Sequence, residues 1–133
     1  MCIGETIMDR WDDREKALDL CSSGSDFYDQ DKLEESIACY NESIRLNPED
    51  EVVWCNKGVS LYALGNYDES ILCFEQVIQL NPEEENAWFS KGLILFEQEK
   101  FQESIPCFDE AIRINPEFAN ALNNRGAAML HLE

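Results

Sequence analysis

The 133-residue chain carries 28 Asp and Glu against 10 Lys and Arg, a formal net charge of −18, and 44% of its residues are hydrophobic. That apolar content in that length suits one cored domain rather than a disordered tail. The negative charge repels phosphate backbones and anionic headgroups, so no nucleic-acid or membrane partner is expected. With no apolar run of signal-peptide or bilayer-spanning length, the expected location is cytoplasmic.

In chain order, residues 1–12 form an N-terminal flank or cap, in which Ile3, Ile7 and Trp11 fall four apart and predict one apolar stripe on a helix. Asp12 and Glu15 have capping-box spacing, which predicts a helix from about Asp13 to Tyr28. Gly24 then falls inside that helix, where glycine is costly unless another element must come close.

From here the chain repeats. Asn-Pro recurs at Asn47-Pro48, Asn81-Pro82 and Asn115-Pro116, a period of 34 residues, which is a solenoid signature. Gly24, Gly58, Gly92 and Gly126 share one column, and Ser36, Ser70 and Ser104 another. The serines are predicted as the small partners that let a second helix cross each glycine, with their hydroxyls bonded to their own helix backbone. As catalytic nucleophiles they lack a base, because the only histidine, His131, lies outside the three copies.

The second helix of the central copy is predicted over about Asp68 to Leu80, with Ile71, Phe74 and Ile78 on one face. Ile37, Tyr40 and Ile44, and Ile105, Phe108 and Ile112, repeat that face. Each helix is predicted to stop at Asn-Pro, with the proline starting the next helix. The acidic residues that follow, Glu49 to Glu51 and Glu83 to Glu85, fall where a helix N-terminus favours negative charge. Pro106 falls about one turn into the third copy's second helix, where a slight kink is expected. Asp31 and Glu99 replace Gly65 in the equivalent turns, predicting turns of slightly different geometry.

Cysteines also follow the period: Cys39, Cys73 and Cys107 in one column, Cys21 and Cys55 in another. Helix axes pack about 8 to 10 Å apart, further than the roughly 7 Å between Cα atoms that a disulfide spans. Thiols in core or groove positions are the expectation, with a metal or redox site as the alternative. Neither a cofactor nor a metal is called for by any ligand spacing, and no catalytic residue is assigned, so the chain is not expected to be an enzyme.

With these columns in place, the chain resembles the tetratricopeptide repeat family. Trp54, Gly58, Tyr67, Ser70, Phe74, Val77 and Pro82 stand where that family places its Trp, Gly, aromatic, Ala, aromatic, Ala and Pro. Trp88, Gly92, Phe101, Phe108, Ala111 and Pro116 repeat the pattern strongly, and Leu20, Gly24, Leu33, Tyr40, Ser43 and Pro48 more weakly. The resemblance implies an all-α fold, a right-handed superhelical solenoid of antiparallel helix pairs. Residues 13–133 would form that domain, as repeats over about 17–50, 51–84 and 85–118 and a partial fourth, one extra helix, over 119–133. It also implies a protein-interaction scaffold whose first helices line a concave groove.

A second apolar stripe points to that groove from the residues themselves. Beside the core stripe Trp54, Gly58 and Leu61 runs Cys55, Val59 and Tyr62, and beside Trp88, Gly92 and Leu95 runs Phe89, Leu93 and Phe96. A helix apolar on two faces is either deeply buried or presents a binding surface. The candidate partner-binding residues are Tyr28, Cys55, Asn56, Val59, Tyr62, Phe89, Leu93 and Phe96, with Asn123 and Asn124 on the extra helix.

Some family members grip the C-terminal carboxylate of a chaperone through a Lys with an Asn four residues on, a middle Asn, and a Lys with an Arg four residues on. The matching positions hold Cys21 and Ser25, Asn56, and Asn86 and Ser90, so only the middle Asn is kept and every cation is lost. The expected ligand is therefore a peptide or helical segment that is apolar with basic residues, not an acidic chaperone tail. The alternative is a self-association or assembly module, or a fragment of a longer array. Ala121, Ala128, Met129 and Leu132 would be the uncovered edge of such a homo-oligomer.

Overall fold

A computed structural model describes the backbone of residues 7–133 and the side chains from Asp12 onward. The side-chain stripe Ile3, Ile7 and Trp11 lies outside the described residues. Those residues form seven α-helices: α1 (Ile7–Asp29), α2 (Leu33–Leu46), α3 (Glu51–Leu64), α4 (Tyr67–Leu80), α5 (Glu85–Glu97), α6 (Phe101–Ile114) and α7 (Ala119–His131). The fold is an all-α helical repeat, as the period of 34 predicts.

α1 runs through Asp12 without a break, so the helix starts earlier than the expected Asp13. The Asp12 carboxylate instead pairs with Lys16 one turn on, at 2.9 Å, and an i, i+4 pair supports a helix interior as readily as its start.

The helix ends repeat as closely as the helices. Asn47, Asn81 and Asn115 each accept, through Oδ1, the backbone N–H two residues on, at 3.4, 3.2 and 3.2 Å. Asn47 and Asn115 are extended, as a residue before proline should be. The prolines, however, occupy these turns and do not start helices, since α3, α5 and α7 begin three residues later. At α3 and α5 helix starting falls to the acids: Asp50 and Glu84 accept the N–H of Val52 and Asn86 at 3.0 and 3.3 Å.

Asp31, Gly65 and Glu99 all take positive φ, 61°, 89° and 62°. In each turn the next residue donates to a carbonyl five back, Lys32 to Phe27, Asn66 to Leu61 and Lys100 to Leu95, at 2.8 to 2.9 Å. The three turns therefore share one helix-ending geometry, against the expectation that losing the glycine changes it. Pro106 lies at the sixth residue of α6, past the first turn, so it removes an interior backbone donor while the helix continues.

The chain divides into two compact units, Met1–Asn66 and Tyr67–Glu133, a boundary that falls inside the second copy. In the first unit α2 packs against α1 and α3. Its core holds Ala17, Tyr40, Val53 and Leu61, and its buried hydroxyls bridge helices. Ser36 Oγ lies 3.1 Å from Ser60 Oγ, and Ser43 Oγ donates to the Ala17 carbonyl at 2.7 Å. Ser36 is thus tied to another helix and not to its own backbone, whereas Ser104 does bond its own helix, donating to the Phe101 carbonyl at 2.7 Å.

In the second unit α5 packs against α4, α6 and α7. Phe108, Ala111 and Ala121 form a buried cluster there, flanked by Trp88, Phe89, Phe96, Ile112 and Phe118. Ala121 and Ala128 are fully buried, so they do not belong to an uncovered edge. The glycine column takes a different partner from the serines predicted for it. A Cβ on Gly24 would lie 2.5 Å from Tyr40 Cε1, and one on Gly92 would lie 2.8 Å from Phe108 Cε1. An aromatic ring, not a serine, sits over Gly24 and over Gly92.

Candidate partner-binding surfaces

In the first unit, Gly58 and Leu61 of α3 are buried as expected, while Trp54 is half-buried and Val53 and Ser60 complete the core side. The Trp54 indole N–H donates to the Pro48 carbonyl at 2.8 Å, and Trp88 repeats the bond to Pro82 at 2.9 Å. Each tryptophan therefore fastens the start of its helix to the preceding turn.

One residue further round, Cys55, Asn56 and Tyr62 are half-buried and Val59 is exposed. Tyr28 on α1 is exposed too. Asn56 Nδ2 lies 3.8 Å from Cys21 Sγ, so the one Asn that matches the carboxylate-gripping pattern faces a thiol. Ser25 Oγ is 3.1 Å from Tyr40 Oη, engaged with the ring that covers Gly24.

In the second unit, Phe89, Leu93 and Phe96 are half-buried. Two of them already have aromatic neighbours within the unit. Phe89 lies 6.0 Å from Phe108 and 4.9 Å from Phe118, and Phe96 lies 5.1 Å from Phe101, centroid to centroid. His131 stacks on Phe101 at 4.3 Å with the rings nearly parallel. The Phe89 ring is therefore part of the unit's own packing. Asn123 is exposed, and Asn124 Nδ2 donates to the Asn120 carbonyl one turn back at 2.9 Å.

A column of cations, Lys57, Lys91 and Arg125, also recurs one period apart. Lys91 pairs with Glu75 at 3.3 Å, and Arg125 pairs with Asp109 in the same relation one copy on. Asn41 holds the equivalent place in the first copy, and Lys57 instead lies over the Trp54 ring, 5.6 Å from its centroid. Each of these cations thus has a partner inside its own unit.

The described cysteines, Cys21, Cys39, Cys55, Cys73 and Cys107, are thiols. Burial pushes the Cys21, Cys39 and Cys107 thiols above their ordinary range, opposed at Cys21 by the Asn56 amide and at Cys107 by Lys91. A raised thiol is a poor nucleophile and a poor metal ligand at neutral pH. Among the described residues no group of three His, Cys, Asp or Glu side chains could hold a metal ion, and no helix is long and apolar enough to cross a membrane.

Helices joined by identical turns, repeated every 34 residues with an aromatic seated on a column glycine, define a helical-repeat protein. A family profile described as tetratricopeptide repeat matches residues 55–117 and again 92–133, and one described as TPR repeat matches residues 24–65. The chain belongs to the tetratricopeptide repeat family.

No curated protein sequence matches the chain significantly. Among solved structures, the first TPR of Spaghetti (RPAP3) bound to HSP90 peptide SRMEEVD is 22% identical, with a TM-score of 0.84 over 90% of this chain and 94% of that one. The Arabidopsis OM64 TPR domain is 16% identical, with a TM-score of 0.84 over 90% and 98%. The second TPR domain of human RPAP3, in complex with HSP70 peptide SGPTIEEVD, is 18% identical, with a TM-score of 0.79 over 90% and 98%. At such identities the likeness is one of fold. Tetratricopeptide repeat domains are protein–protein interaction modules, and two of these structures hold peptides.

Proposed function

We propose that residues 13–133 act as a cytoplasmic interaction domain that binds an apolar or amphipathic segment carrying basic residues. In the first unit the surface is Tyr28, Cys55, Asn56, Val59 and Tyr62. The second unit offers Phe89, Leu93, Phe96, Asn123 and Asn124. The observation that carries the reading is that Tyr28 at 37% and Val59 at 36% are exposed apolar side chains, the latter on a stripe with half-buried Cys55 and Tyr62. Burying that stripe supplies affinity, and the net charge of −18 steers a basic partner toward it.

An acidic chaperone tail is not the proposed ligand, although two of the similar domains hold peptides ending in Glu-Glu-Val-Asp. The positions that would grip its carboxylate hold no cation, and Lys57 and Lys91 are engaged with Trp54 and Glu75. The test is affinity capture with the wild-type chain beside a Tyr28→Ser, Val59→Ser double variant. Both residues are exposed, so the variant is expected to fold and to lose the captured partner. Undiminished capture by the folded variant would remove the site from this stripe.

A second reading, self-association or assembly, is favoured by one observation. Leu122, Met129, Leu130 and Leu132 on and beside α7 are 46% to 68% exposed.

A further inference from the structure

We infer that a cleft within the second unit, between α4 and α6 with α5 as its floor, is a receptor for an arginine side chain of a partner. It shares with the proposed function only the basic character of the ligand, and its residues lie outside the surfaces named there.

The cleft measures about 430 Å³, within the range of small-ligand sites. Ile71, Trp88 and Leu95 supply apolar walls, and the carboxylates of Asp68, Glu75 and Glu103 stand exposed at its mouth.

Its polar groups are rich in acceptors and short of donors. The Lys91 ammonium is engaged by Glu75 at 3.3 Å, which leaves Asp68 and Glu103 facing one remaining cation, Lys100, in a chain of net charge −18. Asp68 accepts the Gln98 amide N–H at 3.0 Å, while the Oε1 of that same amide is closed off from solvent and has no donor. Pro106, on the wall of the cleft, has no N–H for the Gln102 carbonyl one turn back, so a second acceptor lacks its helical donor. The chain brings the acids to one end, since Asp68 stands in the first turn of α4, Gln98 closes α5 and Glu103 stands in the first turn of α6.

Such a set calls for a group that donates several N–H bonds and accepts none. A guanidinium carries five donors in a planar fork, whereas a lysine ammonium is a compact point charge that is more strongly hydrated. The methylenes of arginine suit the apolar walls. A phosphate or carboxylate would be repelled by the acids at the mouth, and a wholly apolar segment would bury them unpaired.

The probe is acetyl-arginine amide, titrated into the intact isotope-labelled chain at fixed ionic strength and followed by nuclear magnetic resonance at the Gln98 amide and Trp88 indole N–H groups. A saturable shift is expected at both, and none with acetyl-citrulline amide, which keeps the shape and loses the charge. Asp68→Asn and Glu103→Gln should each weaken binding about threefold and together about tenfold. Both positions are exposed, so the variants are expected to keep the circular dichroism of the wild type. Lys100→Ala should tighten binding, because it removes a like charge from the mouth. Tyr28→Ser with Val59→Ser should leave it unchanged, so the cleft and the stripe on α3 stand or fall separately. Equal shifts with the citrulline amide, or binding indifferent to both carboxylate variants, overturn the inference. So does a saturable shift with sodium phosphate that Lys100→Ala abolishes, because the cleft then takes an anion.

Discussion

The same substitution, Gly→Ala, is expected to change stability in opposite directions along one column of the repeat. Alanine in a helix interior is favoured over glycine by about 0.8 to 1.0 kcal/mol. At Gly126 nothing opposes this gain, because a Cβ there has no neighbour within 4 Å. Gly126→Ala should therefore stabilise the chain by about 1 kcal/mol. At Gly92 the new methyl would lie 2.8 Å from Phe108 Cε1 and 3.0 Å from Cys107 Cβ, both buried.

Overpacking of this kind costs about 1 to 3 kcal/mol, so the net effect at Gly92 is a loss of about 0 to 2 kcal/mol. Gly24→Ala should stand at the upper end of that range. There the Cβ would meet three Tyr40 ring atoms at 2.5 to 2.9 Å, and Tyr40 is only 2% exposed and held through its hydroxyl to Ser25. Urea unfolding followed by circular dichroism gives all three values, provided the slope with denaturant is unchanged. Equal shifts at Gly24, Gly92 and Gly126, or a larger loss at Gly126 than at Gly92, would refute the assignment of rings to the first two and open space to the third.

The turns and the thiols give three further outcomes. Asp31→Gly and Glu99→Gly should each stabilise by about 1 kcal/mol, because a side chain at positive φ is strained where glycine is not; unfolding midpoints at or below wild type would mean that the side chains compensate. Cys107, buried and raised, should react with iodoacetamide at pH 7 more slowly than free cysteine, as read by mass spectrometry of its tryptic peptide. The unfolded thiols lose their protons first, so stability should fall as pH rises through the ordinary thiol range near about 8.5. Rapid labelling of Cys107 at pH 7 would contradict both statements.

What the sequence made legible was whatever the period repeats. Asn-Pro, the glycines and the aromatics recur in register, so the all-α repeat follows from columns alone. Helix packing was less legible, because columns do not say which residue crosses which. Serine was matched to glycine on size, yet the ring four residues further on reaches the gap, at Tyr40 and Phe108. The turns were misjudged for a different reason. Three backbone bonds of 2.8 to 2.9 Å close the same helix-ending turn around Asp31, Gly65 and Glu99, and that closure outweighs the conformational preference of Asp31 and Glu99.

The proline rule failed similarly, because the asparagine side chain builds a turn that holds each proline outside the helix. On the candidate surfaces, periodicity found the second stripe but could not separate a binding face from one covered by the chain itself. Val59 is exposed, whereas Phe89, on the same stripe one copy on and in register with Cys55, meets Phe108 and Phe118. The covering residues lie 19 and 29 positions further along, beyond the reach of a helical pattern.

The central claim concerns which kind of segment this repeat domain takes, and calorimetry with two peptides tests it directly. One peptide ends in Glu-Glu-Val-Asp; the other is an amphipathic helix with Leu and Phe on one face and Lys and Arg on the other. The predicted result is no measurable heat of binding with the first and saturable heat with the second, reduced by Tyr28→Ser with Val59→Ser. Micromolar affinity for the acidic tail, about −8 kcal/mol, with none for the basic helix would contradict it.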